Sequence, residues 1–103
     1  MIGTPSQTEW AERIKAQVSD EFDRVATSFR SVAEKQIENK RIDTEAIISI
    51  LEEKRAEVMA RNQAGYFIQE WQEITDQVRK MIHADARYQA IRVKSNSGVS
   101  PKK

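Results

Sequence analysis

The sequence predicts an all-α protein, and three observations carry that prediction. Straight-chain and compact helix formers (Glu, Lys, Arg, Gln and Ala) dominate the chain. No segment alternates strictly between apolar and polar residues, and no Asn-Gly or Asp-Gly pair marks a β-hairpin. Gly and Pro, which break helices, occupy only five positions: Gly3, Pro5, Gly65, Gly98 and Pro101. We therefore expect a single helical domain, either a three-helix bundle of long helices or an extended helical hairpin.

The first helix is predicted over about residues 7–39, preceded by a flexible lead at residues 1–6. Thr8 is expected to cap this helix or to lie in its first turn. Apolar side chains recur about every 3.7 residues, close to the period of a straight helix. They form a stripe that is expected to face the core: Trp10, Ile14, Val18, Phe22, Val25, Phe29 and Val32.

The second helix is predicted over about residues 44–62, with Asp43 as its N-cap and Ile42 packed on Ile47 as a hydrophobic staple. Its first two turns are apolar around most of their circumference, which indicates contacts on two sides. One side would face the core of the chain, and the other would face a second subunit. Ile48 and Ile50 are therefore candidate interface residues.

Gly65 decides how the second half of the chain is arranged. The apolar residues before and after it point to opposite sides of a continuous helix, so we expect a reversal around residues 62–65. The alternative is one long helix whose two faces meet different partners, as in an intertwined dimer. A third helix is then predicted over about residues 66–92, with Trp71 and Ile74 joining Phe22 and Phe29 in the core. Tyr66, Phe67 and Ile68 cannot all face one core, so Tyr66 and Phe67 are further candidate interface residues.

Charge is distributed unevenly, although the net charge is only +1. Residues 1–78 carry 10 basic and 15 acidic side chains, whereas residues 79–103 carry seven basic and one acidic. Residues 94–103 are rich in small polar residues and are predicted to be a disordered basic tail. A basic helix face before that tail suits an anionic partner, whereas ordinary solvated charge near a helix C-terminus is the alternative. The candidate residues are Arg79, Lys80, His83, Arg87, Arg92 and Lys94.

Several classes of function lack support in this sequence. The chain has no Cys and one His, so it offers no disulfide scaffold, thiolate metal site or imidazole cluster. It carries no phosphate-binding or dinucleotide-binding loop and no nucleophile elbow. We expect no enzyme activity, no metal and no cofactor. No apolar run approaches the roughly 20 residues that cross a bilayer, and no signal-peptide core is present, so we expect a cytoplasmic protein without a membrane partner.

The expected function is therefore that of a non-enzymatic protein-interaction module, such as an adaptor, a chaperone-like protein or a regulator. We expect it to act as an oligomer, most simply a homodimer, and to bind another protein. The alternative is a nucleic-acid-binding accessory protein that uses the basic C-terminal helix face and tail.

Overall fold

The computed structural model describes the backbone of residues 1–99 and the side chains of residues 1–94. Over this part of the chain the fold is all-α, which confirms the predicted class. The β-structure of the described residues is one isolated parallel bridge, between Ile2 and Gln63. None of its helices is both long enough and apolar enough to cross a membrane. The helices are α1 (Pro5–Glu34), α2 (Glu38–Met59), α3 (Ala64–Glu70), α4 (Ile74–Ala84) and α5 (Ala86–Val99).

The helices α1 and α2 form a long hairpin that is held by polar contacts as well as by the core. Arg55 on α2 reaches α1, where its guanidinium donates to the Asp23 carboxylate at 2.5 and 3.1 Å. Closer to the turn of the hairpin, Arg30 on α1 donates to Glu52 on α2 at 3.0 Å. These pairs fix the register of the two helices along their shared face.

The three shorter helices follow one another along this hairpin, in the direction of α1. Near the N-terminus, the backbone of Ile2 pairs with residues beside the start of α3. Halfway along, the rings of Phe22 and Trp71 meet edge to face, 6.2 Å apart. The path ends where Lys94 on α5 pairs with Asp43 near the start of α2. The molecule is therefore elongated, 56 × 24 × 18 Å, with a radius of gyration of 16.4 Å, against about 13 Å for a globular chain of this length.

The core runs along the hairpin and contains Phe22 and Trp71, as predicted. Phe29 and Ile74 are only half-buried and pack against the edge of this core. The prediction that Trp10 is buried is wrong, because its side chain is 54% exposed. The neighbouring Ala11 is fully buried instead, so at this level α1 turns a small residue toward the core and leaves Trp10 at the margin.

The N-terminal residues differ from the flexible lead that was predicted. The helix begins at Pro5 and Thr4 is its N-cap, so Thr8 lies inside the first turns. Thr4 and Gln7 form a reciprocal capping box, in which each side chain accepts from the backbone N–H of the other residue. Ile2 donates its N–H to Asn62 and accepts one from Ala64. The lead is thus tied to the connection between α2 and α3.

The turn between α1 and α2 also lies earlier than predicted. α1 ends at Glu34 rather than near residue 39, and α2 has Ile37 rather than Asp43 as its N-cap. The predicted staple is wrong because Ile42 lies inside α2 and is 56% exposed. The earlier start places Thr44 within α2, where its hydroxyl bonds to Lys40 and Gln36 and is nearly buried.

The predicted third helix is three helices. The chain leaves α2 at residues 60–63, close to the predicted reversal, and Gly65 itself lies within α3. Two further interruptions follow, at residues 71–73 and at Asp85. The backbone of α5 continues to Val99, so residues 94–99 are helical rather than disordered. The remainder of the predicted tail, residues 100–103, lies outside the described residues.

Candidate interaction surfaces

Three of the six predicted basic residues are engaged in ion pairs within the chain. Arg87 donates to Glu53 on α2 at 2.6 Å and to Asp85 at 2.9 Å. Lys94 pairs with Asp43 on α2 at 2.8 Å, and Arg79 lies 3.6 Å from Asp76 one turn earlier on α4. Arg87 and Lys94 therefore hold α5 against α2, so the predicted face is partly a structural contact.

Asp85 is the centre of the contact between α5 and α2. Its carboxylate accepts from the backbone N–H of Arg87 at 2.8 Å, which caps the first turn of α5. Lys54 on α2 lies 3.1 Å from the same carboxylate. Hydrogen bonds from the Arg87 side chain, and then from Lys54 and the Arg87 backbone, hold the pKa of Asp85 well below its usual range against the opposing effect of desolvation. The group is thus a fixed negative charge at the junction of α4 and α5.

The other predicted basic residues, Lys80, His83 and Arg92, are exposed and form no ion pair within the described residues. His83 and Arg92 meet at Tyr88, which is 6% exposed. The His83 and Tyr88 rings lie 5.2 Å apart, and the Arg92 guanidinium donates to the Tyr88 hydroxyl at 3.2 Å. Because the Tyr88 ring is buried, it offers no open face on which a nucleic-acid base could stack.

Two of the four candidate interface residues are buried in the core, and the other two are half-buried at the surface. Ile50 is 4% exposed and Phe67 is fully buried, so the core of this chain already accounts for both. Tyr66 is half-buried, and the Arg61 guanidinium lies over its ring at 3.8 Å. Ile48 is half-buried on α2 and borders an open groove between α1 and α2, beside Ala33. Of the four, Ile48 is the residue whose surroundings leave most room for a partner.

A surface that the sequence interpretation missed lies at the closed end of the hairpin. Val32, Ile37 and Ile42 are 48%, 73% and 56% exposed there, within eleven residues of one another. Ile48 borders a groove on one side of this end, with Ala33 and Arg41, whereas Val32 borders a separate groove that faces α5. We call these four residues the turn-end surface. Ile48 is a predicted interface residue, whereas the prediction places Val32 in the core stripe, Ile37 near the end of the first helix and Ile42 in a staple. These three are wrong because an apolar pattern indicates the chemistry of a side chain and not what covers it.

The sequence gives little indication of the carboxylates that pair with these basic residues. Glu53 and Asp43, which neutralise Arg87 and Lys94, lie 34 and 51 residues away in the chain, so no local pattern pairs them. Asp85 was detectable in principle, since Asp is a favoured N-cap and stands here between two Ala residues. Among the described residues, no three His, Asp or Glu side chains converge in a way that could hold a metal ion.

Comparison with known proteins adds no relative to these observations. The chain matches no protein-family model, no curated protein and no solved structure.

Proposed function

We propose that this protein is a non-enzymatic interaction module that works as a homodimer, with the turn-end surface as its dimer interface. In architecture it is an extended three-helix bundle whose third helix is divided into α3, α4 and α5. The observation that carries the proposal is the concentration of large aliphatic side chains at one end of the rod. Single exposed hydrophobic residues are ordinary on a protein surface, but a group of them indicates a contact.

The charges around this surface favour a second copy of the chain as the occupant. Residues 34–45 carry four acidic and three basic side chains, so the end has no strong net charge. Both signs lie next to each other, as in the ion pair between Arg41 and Glu45 at 3.3 Å. A two-fold interface brings one patch against itself and therefore needs a self-complementary surface of this kind. A strongly acidic or basic partner would find little to attract it here.

The dimensions indicate how two copies would meet. The end of the rod has a cross-section of 24 × 18 Å, about 430 Å², whereas a stable interface buries about 800 Å² on each partner. Contact of the two tips alone would therefore be too small. Side-by-side overlap of the turn ends places Ile42 and Ile48 in the contact and brings more of α1 and α2 into it.

Light scattering and sedimentation at tens of micromolar test the proposal. The wild-type protein is expected to show twice the 11.9 kDa mass of the chain. Ile37→Asp is expected to be monomeric, because it places a carboxylate in the interface. Asp is also a better N-cap than Ile, so this variant should fold at least as well as the wild type. Ile2→Asp is the matched control, since Ile2 is 64% exposed at the opposite end.

Two results would contradict the proposal. One is a wild-type protein that stays monomeric at these concentrations. The other is an Ile37→Asp variant that remains dimeric, especially if Ile2→Asp becomes monomeric, because that result would move the interface to the opposite end of the rod.

A further inference from the structure

A second surface lies where α4 meets α5, and its Arg92 end borders Val32 of the turn-end surface. The helix is interrupted at Asp85, and an open groove of about 440 Å³ lies beside the junction. Its walls are His83 from α4 and Tyr88, Gln89, Arg92 and Val93 from α5. The groove therefore depends on the break in the helix.

The groove is both cationic and apolar. Arg92 provides the positive charge, and its bond to the Tyr88 hydroxyl at 3.2 Å engages Nη1 and leaves its other N–H groups available. Val93 is 65% exposed and provides an apolar surface. No carboxylate is among the described residues that line the groove. The carboxylates at the helix junction and in the neighbouring grooves are engaged by other cations: Asp85 by Arg87 and Lys54, Glu21 by Arg24, and Asp43 by Lys94.

These features fit a segment of protein better than a nucleic acid. Proteins that bind nucleic acid tightly make about 6–10 phosphate contacts with Lys and Arg. On this face Arg79, Arg87 and Lys94 are already paired with carboxylates of the chain. An exposed Val beside one available Arg instead matches a carboxylate side chain with an apolar neighbour, and the phosphate backbone has no such apolar group.

We propose that this groove, the His83–Arg92 groove, binds an acidic and apolar segment of a partner protein. A Glu or Asp of that segment accepts hydrogen bonds from Arg92 and from the exposed His83 ring, and an adjacent Leu or Ile packs on Val93. The inference concerns a different ligand from that of the proposed homodimer, but Arg92 also borders a groove that contains Val32 of the turn-end surface, so the oligomeric state is measured beside each binding experiment. It extends the function of the protein from self-association to capture of another chain.

The test uses the full chain and two short peptides of matched shape. The first is acetyl-Leu-Glu-Leu-Glu-amide, and the second replaces both Glu residues with Gln. Binding is measured by two-dimensional NMR titration and by calorimetry at low salt. We expect the acidic peptide to shift the signals of His83, Gln89 and Val93, and the neutral peptide to bind at least tenfold more weakly.

Two variants locate the contact. Arg92→Gln removes the cation and is expected to weaken binding of the acidic peptide at least tenfold. Lys80→Gln is the matched control, because Lys80 is exposed on α4 and does not line the groove, and it should bind as the wild type does. Circular dichroism and sedimentation of both variants show whether the fold and the dimer are retained, so failure of the groove and failure of the dimer are distinguishable.

The proposal is overturned if both peptides bind alike, if Lys80→Gln weakens binding as much as Arg92→Gln, or if the shifted signals lie elsewhere. It is also overturned if a short DNA duplex at the same salt shifts the groove residues at concentrations where the acidic peptide does not. That last result would identify the surface as a nucleic-acid site.

Discussion

The two tryptophans provide a controlled test of the core, because one is buried and the other is exposed. Trp71 is 1% exposed and packs on Phe22, whereas Trp10 on α1 is 54% exposed. Trp71→Ala removes nearly the whole side chain from the interior and leaves a cavity. Trp10→Ala removes about half as much buried side-chain surface. It leaves no cavity, because solvent already reaches that position.

These exposures set the expected magnitudes. Truncating a buried aromatic residue costs about 3–5 kcal/mol, which is a large part of the 5–15 kcal/mol that stabilises a small domain. For Trp10 the cavity contribution is absent and the transfer contribution is about half, so we expect a loss of about 1–2 kcal/mol. The free energy of unfolding should therefore be lower for Trp71→Ala than for Trp10→Ala by about 1–4 kcal/mol.

Urea unfolding followed by circular dichroism at 222 nm measures this difference. All samples need the same chain concentration, because dimerisation raises apparent stability. Fluorescence gives a second readout, since the buried Trp71 should emit at shorter wavelength than Trp10. Equal losses in the two variants, or a loss below about 1 kcal/mol for Trp71→Ala, would refute the placement of the helices around Phe22.

Three further predictions concern the backbone and the ion pairs. Gly3→Ala should lower the melting temperature, because the backbone there has a φ of +153° and the added Cβ would lie 2.9 Å from the Ala64 side chain at the start of α3. Gly65→Ala should raise the free energy of unfolding by about 0.4–1 kcal/mol, since a Cβ at this position in α3 meets nothing within 4 Å. Chemical unfolding of the two variants should therefore give changes of opposite sign. Arg87→Gln should lower the melting temperature by loosening α5 from α2, whereas Arg13→Gln, which breaks an exposed pair within α1, should leave it unchanged; equal melting of the two would contradict the role of Arg87. The pKa of Asp85 is lowered in the folded state, so the stability that this carboxylate contributes is present above its ordinary pKa of about 4 and is lost as the pH falls below it. The difference in melting temperature between the wild type and Asp85→Asn should accordingly shrink from pH 7 to pH 3. A constant difference would show that Asp85 does not act through its charge.

The helical period was enough to predict the fold class and the centre of the core. Val18 and Phe22 are four residues apart on α1, and both are buried as the spacing implies. The same spacing placed Trp10 on the stripe, which is wrong. At about 100° per residue, each four-residue step drifts by about 40°, so Trp10 lies about 120° around the helix from Phe22. Ala11 stays within about 20° of Phe22 and is buried instead.

The interruptions of the third helix could not be read from the apolar pattern. Trp71, Val78 and Ile82 are seven and four residues apart, so the stripe stays in phase across the break at residues 71–73. The pattern predicts a continuous helix there because each piece turns the same face to the hairpin. Only a capping residue such as Asp85 carries a local signal for a break of this kind.

The candidate surfaces were predictable to a smaller extent. The charge composition identifies Arg87 and Arg92 as candidates, but it does not distinguish them. Arg87 is neutralised by Glu53, whereas no carboxylate among the described residues of the groove neutralises Arg92. That difference depends on tertiary contacts between α5 and α2. Likewise, Ile37 and Ile42 are as apolar as core residues, and only the position of the turn shows that nothing in the described chain covers them.

Distance measurement between two copies tests the central claim, self-association through the turn-end surface, most directly. The chain has no Cys, so Glu38→Cys and Glu12→Cys each accept one spin label, at the closed end of the hairpin and near its open end. Pulsed dipolar spectroscopy of the Glu38→Cys dimer, spin-labelled at residue 38, should give an intermolecular distance well below the 56 Å length of the molecule. The label at residue 12 should give a distance longer than that length. A short distance at residue 12, or no dipolar signal at residue 38 in a dimeric sample, would contradict the account.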